Sequence, residues 1–165
     1  MALTISTEGL DELSAMFAKL GAKAQDVASG ALFDGAGIVA DAMKAAVDSI
    51  ACGPQQPKRR PPEKTPKRLP TPEEKAALVG KTGIAHFRKN GGDVDTLVGV
   101  TGNAGYAMIN GRKKAVRLIA RAINSGTSFM VKQPVFRRAA SASTGAAKAA
   151  IVSKAEKMFE DIINS

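Results

Sequence analysis

Seven of the eight prolines in this chain fall between residues 52 and 72, in CGPQQPKRRPPEKTPKRLPTP. Each proline fixes φ, lacks an N–H donor and bars the residue before it from the helical region. At that density neither a helix nor a ladder strand can form, so the segment divides the 165 residues into two regions that must fold around it. Residues 51–72 are expected to be an extended cationic arm or loop. The arm carries Lys58, Arg59, Arg60, Lys64, Lys67 and Arg68, with only Glu63 to balance them between residues 54 and 70. A stiff proline-rich stretch of about 17 residues would reach roughly 50 Å. It is expected to tether the chain to an acidic protein face or to DNA phosphates, without joining the core.

Before the arm the pattern is helical. Thr7 can cap a helix from Glu8 in which Leu10, Leu13, Phe17 and Leu20 share a face, and Gly21 can end it. A second helix is expected from about Lys23 to Ile50, with Val27, Ala31, Ile38, Met43 and Val47 in its stripe. Gly30, Gly35 and Gly37 weaken it, yet they would let another backbone come close. After the arm, TPEEKAALVG reads as a short helix with Thr71 as N-cap, Pro72 at N1, Glu74 closing a capping box and Gly80 at the end. Strand signals are confined to residues 82–109. Two runs are joined by Asn90-Gly91-Gly92-Asp93, a hairpin turn, and GYAMI is a candidate third strand. Residues 113–124 pattern as a helix with Val116, Ile119, Ala120 and Ile123 on one face, and a last helix starts at Pro134. The expectation is a single α+β domain over residues 1–165, with a small antiparallel sheet packed against N-terminal and C-terminal helices.

Charge is unevenly spread within a net of +9. Residues 1–50 hold three Lys and seven acids, net −4, and the stretches 51–80, 81–125 and 126–165 are each basic. An acidic third on a basic remainder suits partners of both signs, another copy of the chain among them. A nucleic-acid reading also follows from the charge. Against it, the chain has six Phe, one Tyr and no Trp, too few platforms for base stacking, and no helix-turn-helix, zinc or RNA-binding signature. No run of 18 apolar residues predicts a membrane helix. MALTISTEGLDEL lacks the basic-then-apolar order of a secretory leader. The single cysteine, Cys52, fits folding in a reducing cytoplasm.

No constellation for catalysis emerges. His86 is the only histidine, on a predicted strand with no nucleophile or carboxylate in view, and is read as a structural or surface residue. Cys52 has no second ligand at zinc spacing, and Asp93 and Asp95 sit where a turn favours aspartate. GKTG at residues 80–83 follows a helix and lacks the first glycine of a P-loop, and GVTGNAG at 99–105 does not fit a dinucleotide loop. The expectation is a protein with no enzymatic activity, cofactor or metal.

Three short motifs carry a resemblance. Gly9-Leu10-Asp11-Glu12-Leu13 opens the chain, Thr82-Gly83 starts the strand region, and Gly126-Thr127-Ser128, Met130, Gln133-Pro134 and Phe136 precede the last helix. Together they resemble the neck or tail-completion family of long-tailed, lambdoid phages, the head–tail joining or minor tail proteins. The chain departs from that pattern in Val135, inserted before Phe136, and in Asn124 and Ser125, where the family has a Glu and an aromatic. The resemblance implies a structural virion protein of the neck, assembled in the host cytoplasm. It would form a homo-oligomeric ring, six- or twelve-fold, around a DNA channel. It would contact connector, tail-terminator or other neck proteins and touch DNA without sequence preference. A ring subunit needs head-to-tail surfaces. The loop of Gly126, Thr127, Ser128, Phe129, Met130, Val131, Gln133, Pro134 and Phe136 is expected to supply one, its apolar trio presented as a clasp to the next subunit, with folding back into the subunit's own core as the competing reading. The functional alternative is a basic DNA-binding or packaging protein without enzymatic activity; an enzyme of unrecognised type ranks last.

Overall fold

The computed structural model describes residues 10–54, 67–90, 93–100 and 105–164, with only the backbone for residues 10–15 and Asn90. The order is α1 (Leu10–Asp48), α2 (Pro72–Val79), β1 (Thr82–Ile84), β2 (Arg88–Asn90), β3 (Asp93–Asp95), β4 (Val98–Val100), β5 (Tyr106–Ile109), β6 (Arg112–Ala115), α3 (Val116–Ser125) and α4 (Val135–Ile163). This is an α+β fold in which long N- and C-terminal helices flank small antiparallel pieces of two strands each. Thr7 and Glu8 lie outside the described residues.

The two expected N-terminal helices are one. α1 runs for 39 residues, about 58 Å, straight through Gly21. A glycine costs only about 1 kcal/mol inside a helix, and once the later turns are fixed against α4 the helix propagates back through it one hydrogen bond per residue. α4 lies antiparallel to α1 and starts at Val135, with Pro134 as the residue before its first turn. Two glycines of α1 set the closeness of the pair. A Cβ at Gly30 would come within 3.0 Å of Met158 Sδ. One at Gly35 would collide with Ile151 Cγ1 and stand 3.0 Å from the Ala147 carbonyl oxygen. Gly37 has open space on its side. Gly35→Ala is therefore expected to lower stability by roughly 1–3 kcal/mol through overpacking, and Gly37→Ala to raise it by up to about 1 kcal/mol. Thermal melts of the two variants check the pair.

α4 ends beside Lys23, Asp26 and Val27, which line a shallow cleft with Met158, Asp161 and Ile162. The first three turns of α1 thus run past the end of α4. Phe17, on that overhang, is 64% exposed.

The strand region is one bent hairpin and one tight one. Thr82, Gly83 and Ile84 pair with Val100, Gly99 and Val98, and Arg88 to Asn90 pair with Asp95 to Asp93, as the Asn-Gly-Gly-Asp turn signal requires. Between these pieces Ala85, His86 and Phe87 stand opposite only Thr96 and Leu97. One extra residue on one side is a bulge, which breaks the expected continuous strands. His86 is therefore exposed in a bulge, not on a strand. The bulge aims Phe87 at Phe33 of α1, with ring centroids 6.1 Å apart.

The second hairpin corrects a boundary. Residues 113–115 were expected to be helical, but Arg112–Ala115 pair with Tyr106–Ile109. Asn110 (φ +53°) and Gly111 (φ +69°) make the turn, the conformation a two-residue hairpin needs. The core closes where these elements meet the end of α1: Val47, Ile50, Leu78, Ile109, Val116, Ile119, Ile123 and Met130 are buried together.

Candidate functional site

The loop from Gly126 to Pro134 is built by hydrogen bonds to distant segments. Gly126 ends α3 at φ +74°, and its N–H reaches the Ala122 carbonyl at 2.9 Å. A Cβ there would press on Lys132 Cβ at 3.0 Å, so conformation and space both demand glycine. Thr127 Oγ1 accepts from the N–H groups of Phe129 (3.3 Å) and Met130 (3.0 Å), and its own N–H donates to the Met130 carbonyl. Gln133 ties the loop to the end of α1. Its Oε1 accepts from Ala51 N at 3.0 Å and its Nε2 donates to Ala51 O at 2.9 Å. Its backbone N–H also reaches Ile123 O.

That scaffold splits the apolar trio expected to act together. Met130 is 2% exposed and belongs to the core. Phe129 is 54% exposed, and Val131 is half-buried beside it. The reason is pairing: Met130 bridges in parallel to Arg68, with Arg68 N–H donating to Phe129 O and Val131 N–H to Arg68 O, both at 2.9 Å. Alternation along an extended segment then sends Met130 inward and Phe129 out. Phe136 is half-buried against the core, Pro134 is half-buried, and Ser128 is exposed. Only Phe129 of the expected clasp is presented to solvent as a large apolar group.

The same pairing changes the arm. Lys58, Arg59, Arg60 and Lys64 lie outside the described residues, and Lys67 is exposed. Arg68, however, is not a free cation. Its guanidinium holds the Glu74 carboxylate with two bonds, Nη1–Oε2 at 2.7 Å and Nη2–Oε1 at 2.8 Å. Pro70 is fully buried, and Gly53 N–H donates to its carbonyl at 2.9 Å. The stretch expected to be a tether outside the core is thus fastened at both ends, because a paired arginine and a buried proline satisfy their own polar and apolar needs inside the fold.

Glu74 is the centre of this fastening. The capping box read from sequence is present: Glu74 N–H donates to Thr71 Oγ1 and Thr71 N–H to Glu74 Oε2. Lys114 Nζ of β6 adds a contact at 3.3 Å, and Glu73 Oε2 accepts from Asn110 N–H at the hairpin turn. Lys75 Nζ meanwhile donates to Asp48 O, covering the end of α1. Burial pushes the Glu74 carboxyl up. Hydrogen bonds from Arg68 and Thr71, the Arg68 charge and the Lys114 contact outweigh it, so the group stays ionised below the ordinary carboxylate range. Sequence reasoning missed Arg68 and Lys114 as partners of Glu74. An Asn-Gly pair at 110–111 was the available signal for Lys114, since it marks the hairpin that delivers it.

Beside the loop, α3 and the start of α4 frame a cationic cleft. Asn124, Ser125, Lys132, Pro134, Arg137, Arg138 and Ser141 enclose about 390 Å³. An adjoining hollow shares Asn124 and Ser125 and is lined also by Arg117, Arg121 and Phe136. Asn124 Oδ1 is buried with no hydrogen-bond partner among the described residues. No three His, Cys, Asp or Glu side chains converge among the described residues in a way that could hold a metal ion. Comparison with protein-family models, curated proteins and solved structures gives no match for this chain.

Proposed function

We propose that the chain is a structural protein of the neck of a long-tailed phage, one copy in a homo-oligomeric ring that completes the tail or joins it to the head. The observation that carries this reading is apolar surface left outward on regular structure. Val152, Phe159 and Ile163 are exposed on α4 and fall at i, i+7 and i+11, which is one stripe. That stripe is turned about 100° from the one through Ile151, Met158 and Ile162 that meets α1. Phe17 on the α1 overhang and Phe129 on the Gly126–Pro134 loop face solvent elsewhere. On a lone monomer these are aggregation liabilities; in a closed ring they are contacts between unlike faces of successive copies. The resemblance carried by Thr82-Gly83 and Gly126-Thr127-Ser128 points the same way; Thr82 starts β1 and Gly126 ends α3.

The test is sedimentation of the full chain alone and with other neck components. Species larger than the 17.1 kDa chain are expected to grow with concentration, and Val152→Ser with Phe159→Ser is expected to shift them back to monomer. A monomer at every salt and concentration, with or without those components, sinks the proposal. Electron microscopy of particles labelled through this chain then checks its place at the head–tail junction.

A further inference from the structure

From Thr96 to Ala155 the chain contains ten Lys and Arg and no Asp or Glu. The fold gathers five of the ten about Asn124, which lines both hollows: Lys132, Arg137 and Arg138 in the cleft between α3 and α4, and Arg117 and Arg121 in the adjoining hollow, the two together forming one cationic cleft. All five are exposed, and none forms an ion pair among the described residues. We infer that this cleft binds the phosphodiester backbone of duplex DNA without reading its sequence.

Two local rules are broken there at once. Arg117 and Arg121 stand at i and i+4 on α3, a like-charge spacing that disfavours a helix. Arg137 and Arg138 occupy the first turn of α4, the positive end of the helix dipole, with no acid in that turn. Each placement costs stability in the free protein and is relieved by an anion in the cleft. Conflicts of this kind concentrate at functional sites. Four of the five cations are arginine, whose planar fork matches phosphate oxygens.

Two other polyanions fit less well. A second copy of the chain would have to offer a face of acids, but of the four acids of α1 whose side chains are described, Asp26, Asp34 and Asp41 already stand in ion pairs with Lys89, Lys154 and Lys44, which leaves Asp48. A single strand needs stacking platforms, and the only aromatic side chain lining the cleft is Phe136, half-buried against the core. Duplex phosphates require neither acids nor rings.

The inference does not depend on the neck reading: self-association and DNA affinity are measured separately, and either can fail alone. Fluorescence anisotropy of a labelled 30-base-pair duplex, titrated with the full chain at several salt concentrations, tests it. Five phosphate contacts give a slope of log affinity against log salt of about −4.5, or roughly 500-fold between 50 and 200 mM. Arg137→Gln with Arg138→Gln is expected to reduce the slope by about 2 while leaving the melting temperature unchanged or higher. Lys148→Gln with Lys157→Gln removes the same net charge elsewhere on α4 and is expected to change little. If that second pair weakens binding as much as the first, net charge and not the cleft is responsible, and the inference is overturned. It is overturned equally if the chain binds polyglutamate but not the duplex.

Discussion

Arg68→Ala is expected to lower the melting temperature of the protein by roughly ten degrees, more than any exposed cation would. Removing one partner of a buried pair leaves the other charge without compensation, at about 3–5 kcal/mol, and a domain of this size loses about 2–4 °C per kcal/mol. The Glu74 side chain is only 3% exposed, and the Arg68 fork is its main partner, with Lys114 at the longer distance of 3.3 Å. The pH dependence has a definite sign. The folded carboxyl titrates below its ordinary value near 4.5, so its contribution is full above that value and is lost as pH falls through the lower, folded one. The stability gap between the native chain and Glu74→Gln should therefore be constant at neutral pH and close below about pH 4.5. Denaturant melts across that range read the gap directly; a gap that widened on acidification would refute the assignment.

Met130→Ala and Phe129→Ser are expected to separate folding from assembly. Met130 is part of the core, and truncating a buried methionine costs about 2–5 kcal/mol. Phe129 faces solvent, so its loss should change the stability of the isolated chain by less than about 0.5 kcal/mol. On the proposed reading of the chain as a ring subunit, the order is expected to reverse: Phe129→Ser would weaken assembly while the subunit stays folded. Urea melts paired with sedimentation distinguish the two. Equal destabilisation by both substitutions would mean that Phe129 also packs inward.

What could be read from the sequence was local. Thr71, Pro72 and Glu74 declare α2 because a capping box is complete within four residues, and Asn90 to Asp93 declare a hairpin because a turn is. The apolar face of α3 was likewise visible in the spacing of Val116, Ile119 and Ile123. The failures came where a local signal was weak against a distant one. Gly21 reads as a stop, yet α1 passes through it under a stripe that continues on both sides. Lys113 and Lys114 read as helix until the Asn110-Gly111 turn is given its full weight. Arg68 was the hardest. A cation amid prolines looks solvated, and nothing nearby in sequence says that a backbone some sixty residues later pairs with it. The Gln133–Ala51 bonds span 82 positions and have no local signature at all. The same distance hid the cleft: the hollow that Arg117 lines and the one that Arg137 lines adjoin at Asn124 and Ser125 only through the loop that Gly126 and Thr127 shape.

The fastening at Gly53, Arg68 and Pro70 has a consequence for how this chain can vary. Gly53 and Pro70 are held together by the fold itself, so the points that bound the proline-rich sequence are fixed by their own contacts and not by its length. Lengthening a flexible connection between two points so held costs only the logarithm of its size, about 0.6 kcal/mol for each doubling. The chain therefore has a place where whole peptides can be gained, lost or exchanged by descent, or inserted by an experimenter, while the surrounding architecture stays the same.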